Sequence, residues 1–176
     1  GLWMEMSYGN SQGKSYKQDH GESLYRRGLY TVWKRSVLFP AFAAFDAPNR
    51  EECTVRRTRT NTPLQAFVLL NDATFVESAR VFAERVLREG GNNFESQIGF
   101  AMEIALARPP SSSERSVLQS LLTDMFMHYR RKPEEAQNII ATGEWPISKD
   151  LDPVTLAAWT SVAQAILNLD EMQTKE

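Results

Sequence analysis

The chain has 176 residues, a hydrophobic share of 42% and a charged share of 24%. These values suit one globular domain with a sizeable core and argue against wholesale disorder. The formal net charge of −2 argues against a dedicated nucleic-acid binder, which carries a basic excess. No run approaches the roughly 20 apolar residues of a membrane span. The single cysteine, Cys53, has no partner for an internal disulfide, and a small buried thiol is its expected state.

Residues 1–20 are rich in Gly, Ser, Asn, Gln and Tyr. They read either as a short hairpin turning at Gly9–Gly13 or as an extended arm on a helical body. Trp3, Tyr8 and Tyr16 either form a sugar-stacking platform or anchor that arm. The string GNSQGKS is similar to a phosphate-binding loop. However, Tyr8 stands where the first glycine belongs, and no apolar strand precedes it. A first helix is expected over Glu22–Val37, with Tyr25, Leu29, Val32 and Trp33 on one face and Arg26, Arg27, Lys34 and Arg35 largely off it. That basic face either binds an acidic partner or is simply solvated. Pro40 is expected to end this helix. Phe39, Phe42 and Phe45 follow on or in the core, since each would forfeit roughly 2 kcal/mol in water.

Thr62-Pro63-Leu64-Gln65 predicts a capped helix start, with proline in the first turn and Gln65 at the capping-box position. Asn71-Asp72 either interrupts that helix or caps the next. Ala73–Arg88 places Phe75, Ala79, Phe82 and Val86 on one stripe, and Gly90-Gly91 stops it. Further helices are expected over Phe94–Ala107, from a second capping box at Ser111-Ser112-Ser113-Glu114 to about Arg131, over Pro133–Thr142, and from Pro153 to about Asn168. Their inward faces are Phe94, Ile98, Ala101, Met102 and Ala105, then Leu118, Leu121, Leu122, Met125 and Tyr129, and finally Leu156, Trp159, Val162, Ala163 and Ile166. The fold class is therefore all-α. It is an irregular bundle of six or seven helices with an N-terminal arm or hairpin and a long arginine-rich loop. The chain reads as a single domain over 1–176 and, starting at Gly1-Leu2-Trp3, as a piece of a longer protein.

The most unusual stretch is FDAPNREECTVRRTRTNTPLQAFVLLND, from Phe45 to Asp72, with Arg50, Arg56, Arg57 and Arg59 inside ten positions. Two readings stand side by side. The four guanidinium groups grip an anionic ligand or a partner in two-pronged fashion. Alternatively they pair with Asp46, Glu51, Glu52 and Asp72 and pin an irregular loop onto the helices. His20, Asp46 and Glu51 are the candidate acid–base groups beside them. With two histidines and no paired spacing, no metal site is expected. There is no C-x-x-C-H, so no haem attaches to this chain.

The chain resembles the family of domain of unknown function 1553. Three stretches carry the resemblance: YGNSQGKSYKQDHGESLYRRGLYTVWKR, the Phe45–Asp72 segment, and AAWTSVAQAILNLDEMQTKE. The resemblance implies a planctomycete-type, exported multidomain protein, periplasmic or at the cell surface. Domains similar to cytochrome c would lie upstream, so haem would belong to those domains only. This chain looks like the C-terminal half of the family domain. The resemblance brings no reaction and no catalytic residues. The expected role is a structural or docking module whose partners are other domains of the same polypeptide or another protein. The rival is part of an enzyme site that binds a sulfated or acidic polysaccharide through the arginine loop.

Overall fold

The computed structural model describes residues 18–31, 33, 38–49, 52–56 and 58–174. Among them are eight α-helices, two 3-10 turns and no strand. The all-α, irregular bundle expected from the periodicity is the fold observed. The hairpin or arm over 1–20 lies, apart from residues 18–20, outside the described residues. So do the Trp3, Tyr8 and Tyr16 platform and the GNSQGKS string. The described residues fall into two compact units, divided between Gln65 and Ala66.

In the first unit the expected Glu22–Val37 helix is replaced. Two single-turn 3-10 helices, Gly21–Tyr25 and Gly28–Tyr30, flank Arg26 and Arg27 in extended backbone. Residues 32 and 34–37 lie outside the described set. The physical reason is local. Gly28 and the run of Tyr, Thr and Trp around it are poor helix formers, and 3-10 geometry is favoured in such short pieces. Pro40 does not end a helix. It opens one, α1 (Pro40–Ala44), at the position where its missing N–H and fixed φ do no harm. Phe42 of α1 stacks on Trp33 (5.4 Å between centroids, 26° between planes) and meets Phe39 edge-on at 5.4 Å. Phe39, Phe42 and Phe45 are half-buried.

Helix α2 (Pro63–Asn71) starts at the predicted reciprocal cap. The Thr62 N–H donates to Gln65 Oε1 (2.9 Å), and the Gln65 N–H donates to Thr62 Oγ1 (3.3 Å). Asp72 then caps α3 (Ala73–Glu89) by accepting from the Thr74 N–H at 2.9 Å. The second unit continues with α4 (Phe94–Leu106), α5 (Ser112–Arg131), α6 (Pro133–Ile140), α7 (Pro153–Leu167) and the short α8 (Asp170–Gln173). The capping box at Ser111 and Glu114 is complete.

Helix α7 is the axis of this unit. It has no exposed residue from Pro153 to Leu167, and it packs chiefly against α3, α5 and α6. Its predicted face is buried, and burial extends around to Ala157, Ala158 and Thr160. A helix apolar all round belongs inside. Its alanines let neighbouring helices approach, and Thr160 satisfies its own hydroxyl on the Leu156 carbonyl at 2.8 Å. The predicted inward faces of α4 and α5 hold as well, with Ile98, Ala101, Met102, Leu118 and Tyr129 buried.

The α3 stripe is corrected by about one residue. Ala79 and Val86 are buried as expected, while Phe75 and Phe82 are only half-buried. The interior face is instead Val76, Ala79, Arg80, Ala83 and Val86, flanked by Glu77 and Glu84. Rotation by one residue is about 100°. Charged side chains drive it, because each of them finds a partner inside.

Helix α4 ends at Ala107 in the left-handed region (φ 55°, ψ 30°). An L side chain there costs about 1–2 kcal/mol relative to right-handed backbone. Ala107→Gly is therefore expected to stabilise the chain by about 0.5–1 kcal/mol, read as a higher urea midpoint at unchanged slope. An unchanged or lower midpoint would count against strain at this cap.

Candidate functional site

Of the arginine segment, Arg50, Glu51 and Arg57 lie outside the described residues. Arg56 and Arg59 are exposed, as are Glu52 and Cys53. The expectation of a buried thiol at Cys53 is thus overturned. The tripeptide around it has no apolar neighbour to carry it inward, and Val55 beside it is fully exposed as well. The segment is closed at its base by Asp46, itself in left-handed backbone (φ 57°), which aspartate tolerates better than most residues. Asp46 Oδ2 accepts from the Thr60 N–H and the Thr60 hydroxyl, both at 2.8 Å, and from Gln65 Nε2 at 3.5 Å. Gln65 is 2% exposed and also donates to Thr60 Oγ1 at 3.2 Å. The candidate base Asp46 is thus the closure of the loop and the anchor of the α2 cap. His20 is exposed at the entrance to the first 3-10 turn, with no side-chain cap bond there. The structure brings together Asp46, Thr60 and Gln65, and it leaves His20 on a different element.

The polar arrangement that sequence reasoning missed lies on α3. Glu77, Arg80, Glu84 and Arg88 recur at intervals of three, four and four residues, so they form one line along the helix. Each grips the irregular segment 143–150. The Glu77 carboxylate accepts from the Trp145 N–H. Arg80, fully buried, donates to the carbonyls of Trp145 (2.7 Å) and Pro146 (3.4 Å), and it pairs with Glu84 at 2.5 Å. The Ser148 hydroxyl donates to Glu84 Oε2 at 2.5 Å. Arg88 reaches Ser148 Oγ at 2.9 Å and Asp150 Oδ1 at 2.8 Å. The registers match. Eleven helical residues rise about 16 Å, a span within the reach of the five residue steps from Trp145 to Asp150. Gly143, at φ 92°, lies so close to Glu77 that a Cβ would collide with its carboxyl carbon. The legible signal was charge on the period of the apolar stripe, followed 60 residues later by a loop with Gly143 and Pro146.

Two further joints are electrostatic. Arg108, just past α4, forks onto Glu114 of α5 (3.0 and 2.7 Å) and onto Glu171 of α8 (2.7 and 2.8 Å). The Arg108 guanidinium, helped by Ser111, holds the Glu114 carboxyl down at about 2, and Arg108 also lowers Glu171. In turn Glu114 and Glu171 raise Arg108. His128 of α5 meets Glu135 of α6 at 2.6 Å. Lys132 meets the same carboxylate at 2.6 Å, and the two lower it, Lys132 more. Among the described residues, no group of three or more His, Cys, Asp and Glu side chains is placed to hold a metal. No helix among them is long and apolar enough to cross a membrane.

The family model described as "PSD1: Protein of unknown function (DUF1553)" matches residues 4–122, more than half of the chain. The chain belongs to this DUF1553 family. No curated protein and no solved structure matches it. The matched range includes the arginine segment, α2, α3 and α4, and so the helix that carries the charge line. It stops within α5, before the segment that this line holds.

The Glu114 carboxyl has a sharp pH consequence. Its folded value lies below its ordinary 4.5, so its contribution is fully present above that pH and is lost as pH falls toward about 2. In acid titrations followed by circular dichroism, Arg108→Met is expected to lose stability at pH 7 and to show a smaller further loss between pH 4.5 and 2 than the parent chain. Parallel acid profiles for the two would contradict this assignment.

Proposed function

We propose that this DUF1553 chain is a structural or docking module of an exported multidomain protein, and that it engages another domain of the same polypeptide. The observation that carries the reading is a helix face. Leu64, Phe67 and Leu70 of α2 are spaced by three residues and are 60%, 62% and 43% exposed. Contiguous exposed apolar side chains on a helix mark contact surfaces. The last turn of the helix is held within the second unit, where Gln164 Nε2 donates to the Leu70 carbonyl at 3.1 Å. An exposed apolar face on a formed helix suits docking. The exported setting, and haem carried by neighbouring domains, rest on what the family resemblance implies.

The polysaccharide-enzyme alternative asks Asp46, Glu51 or His20 for proton transfer. What supports docking over it is that Asp46 Oδ2 already accepts from Thr60 and Gln65. A role as loop closure accounts for those contacts.

The test is the double variant Leu64→Ser/Phe67→Ser, made in the polypeptide that carries the neighbouring domains. It is expected to keep the melting temperature of this module within a few degrees, because both side chains are exposed. It should also increase protease cleavage between domains, as docking is lost. Unchanged cleavage with an intact fold would refute the docking surface, and a collapse in melting temperature would reassign both residues to the module's own packing.

A further inference from the structure

A second surface feature lies in the first unit and does not depend on the docking reading. Arg26 and Arg27 are consecutive residues in extended backbone, between the turns Gly21–Tyr25 and Gly28–Tyr30. Neighbouring side chains in extended chain ordinarily diverge. Here, however, both line one recess of about 240 Å³, together with Tyr30. The turn that follows brings this about. The Tyr30 N–H closes on the Arg27 carbonyl at 2.9 Å, which folds the tyrosine back beside the arginines.

The backbone between the lining residues is packed against an aromatic ring. A Cβ at Gly28 would stand 3.1 Å from two ring carbons of Phe42. The backbone between Arg27 and Leu29 therefore rests on the Phe42 ring, and that ring is held by Trp33 and Phe39. Glycine at this position lets the chain approach an aromatic cluster, and the cluster in turn fixes where the arginines start.

Among the described residues, no carboxylate pairs with the charge in the recess. Arg26 and Arg27 enter no ion pair among the described residues, in contrast to Arg80, Arg85, Arg88, Arg108 and Arg115, each of which holds a carboxylate. Tyr30 is 68% exposed, so its ring face and its hydroxyl are both open to a ligand. Paired guanidinium groups favour oxyanions, which they bind through several parallel hydrogen bonds. An open tyrosine beside them adds a stacking surface for a ring. The volume of about 240 Å³ is below the roughly 300–1,000 Å³ of sites for drug-sized ligands, which suits a single small ring that bears one acid group.

We infer that Arg26, Arg27 and Tyr30 form a binding site for an oxyanion, carboxylate or sulfate, carried on a single small ring. The arginines take the acid group and Tyr30 takes the ring. Recognition of this kind serves equally for an acidic sugar and for an aryl acid, and the probes distinguish the two.

The experiment is a nuclear magnetic resonance titration of the whole chain with glucuronate, benzoate, inorganic sulfate and glucose at matched ionic strength. At least one ring-bearing anion should bind saturably, with shifts centred on residues 26–30, and more tightly than sulfate. Glucose should not bind. Arg26→Gln/Arg27→Gln should weaken the bound anion at least tenfold, and Tyr30→Ala should weaken the ring-bearing anion while leaving sulfate unchanged. All these side chains are exposed, so the variants should melt with the parent chain, which separates loss of binding from loss of fold. Absence of saturation with every anion, glucose binding as well as glucuronate, or affinities untouched by the double arginine variant would each overturn the site. If glucuronate saturates and benzoate does not, the ligand is an acidic sugar, and the reverse assigns an aryl acid.

Discussion

The second unit depends on one physical constraint, the satisfaction of an irregular segment that carries no helix of its own. Residues 143–150 have backbone groups that no secondary structure can pair, and buried unpaired groups are costly. Helix α3 supplies the partners through Glu77, Arg80, Glu84 and Arg88. Because Arg80 is fully buried, its charge must be met inside. Glu84 and the two carbonyls of Trp145 and Pro146 meet it. The segment thus needs the helix, and the helix could not bury Arg80 without the segment. This mutual need fixes the rotation of α3, and with it which of its apolar residues reach α7.

The same logic recurs at the other irregular places. Asp46 closes the arginine segment through Thr60 and Gln65, and Gln65 in turn completes the cap of α2. Arg108 gathers the start of α5 and the short α8. Irregular chain in this protein is held by side chains that each serve two elements. Its function is then sought among the charged and apolar groups left over. Two such sets stand out: the α2 stripe, offered here as a docking face, and the Arg26–Arg27–Tyr30 recess, offered as a ligand site.

Much of the second unit was legible from the sequence because its signals are local. Ser111 with Glu114, Asp152 before Pro153, and Asp72 at the α3 start are cap chemistries written within four residues; the first two are where they were expected, and at Asn71-Asp72, where interruption and cap were both open, Asp72 is a cap. The apolar periods of α4, α5 and α7 were equally readable. The first helix was misread because a helical spacing of aromatic residues survived in a stretch where Gly28 and Pro40 favour short turns. There the packing of Gly28 against Phe42, fourteen residues on, decided the backbone. The buried charge line escaped for the opposite reason. Its partners are carbonyls and a hydroxyl some 60 to 70 positions away, and composition carries no trace of such pairing. The arginine segment drew the eye by its density, yet its best-defined structural groups are the neighbouring Asp46, Thr60 and Gln65.

The most direct measurement of the central claim is amide hydrogen exchange at Trp145 and at the buried positions of α7, in the parent chain and in Arg80→Met. If the charge line holds the segment and orients α3, the substitution leaves Glu84 buried without its counter-charge, at a cost of about 3–5 kcal/mol. Protection should then fall first and furthest at Trp145, and by a smaller factor in α7. Equal loss at both sites would mean that Arg80 contributes only to global stability. Unchanged protection at Trp145 would contradict the account.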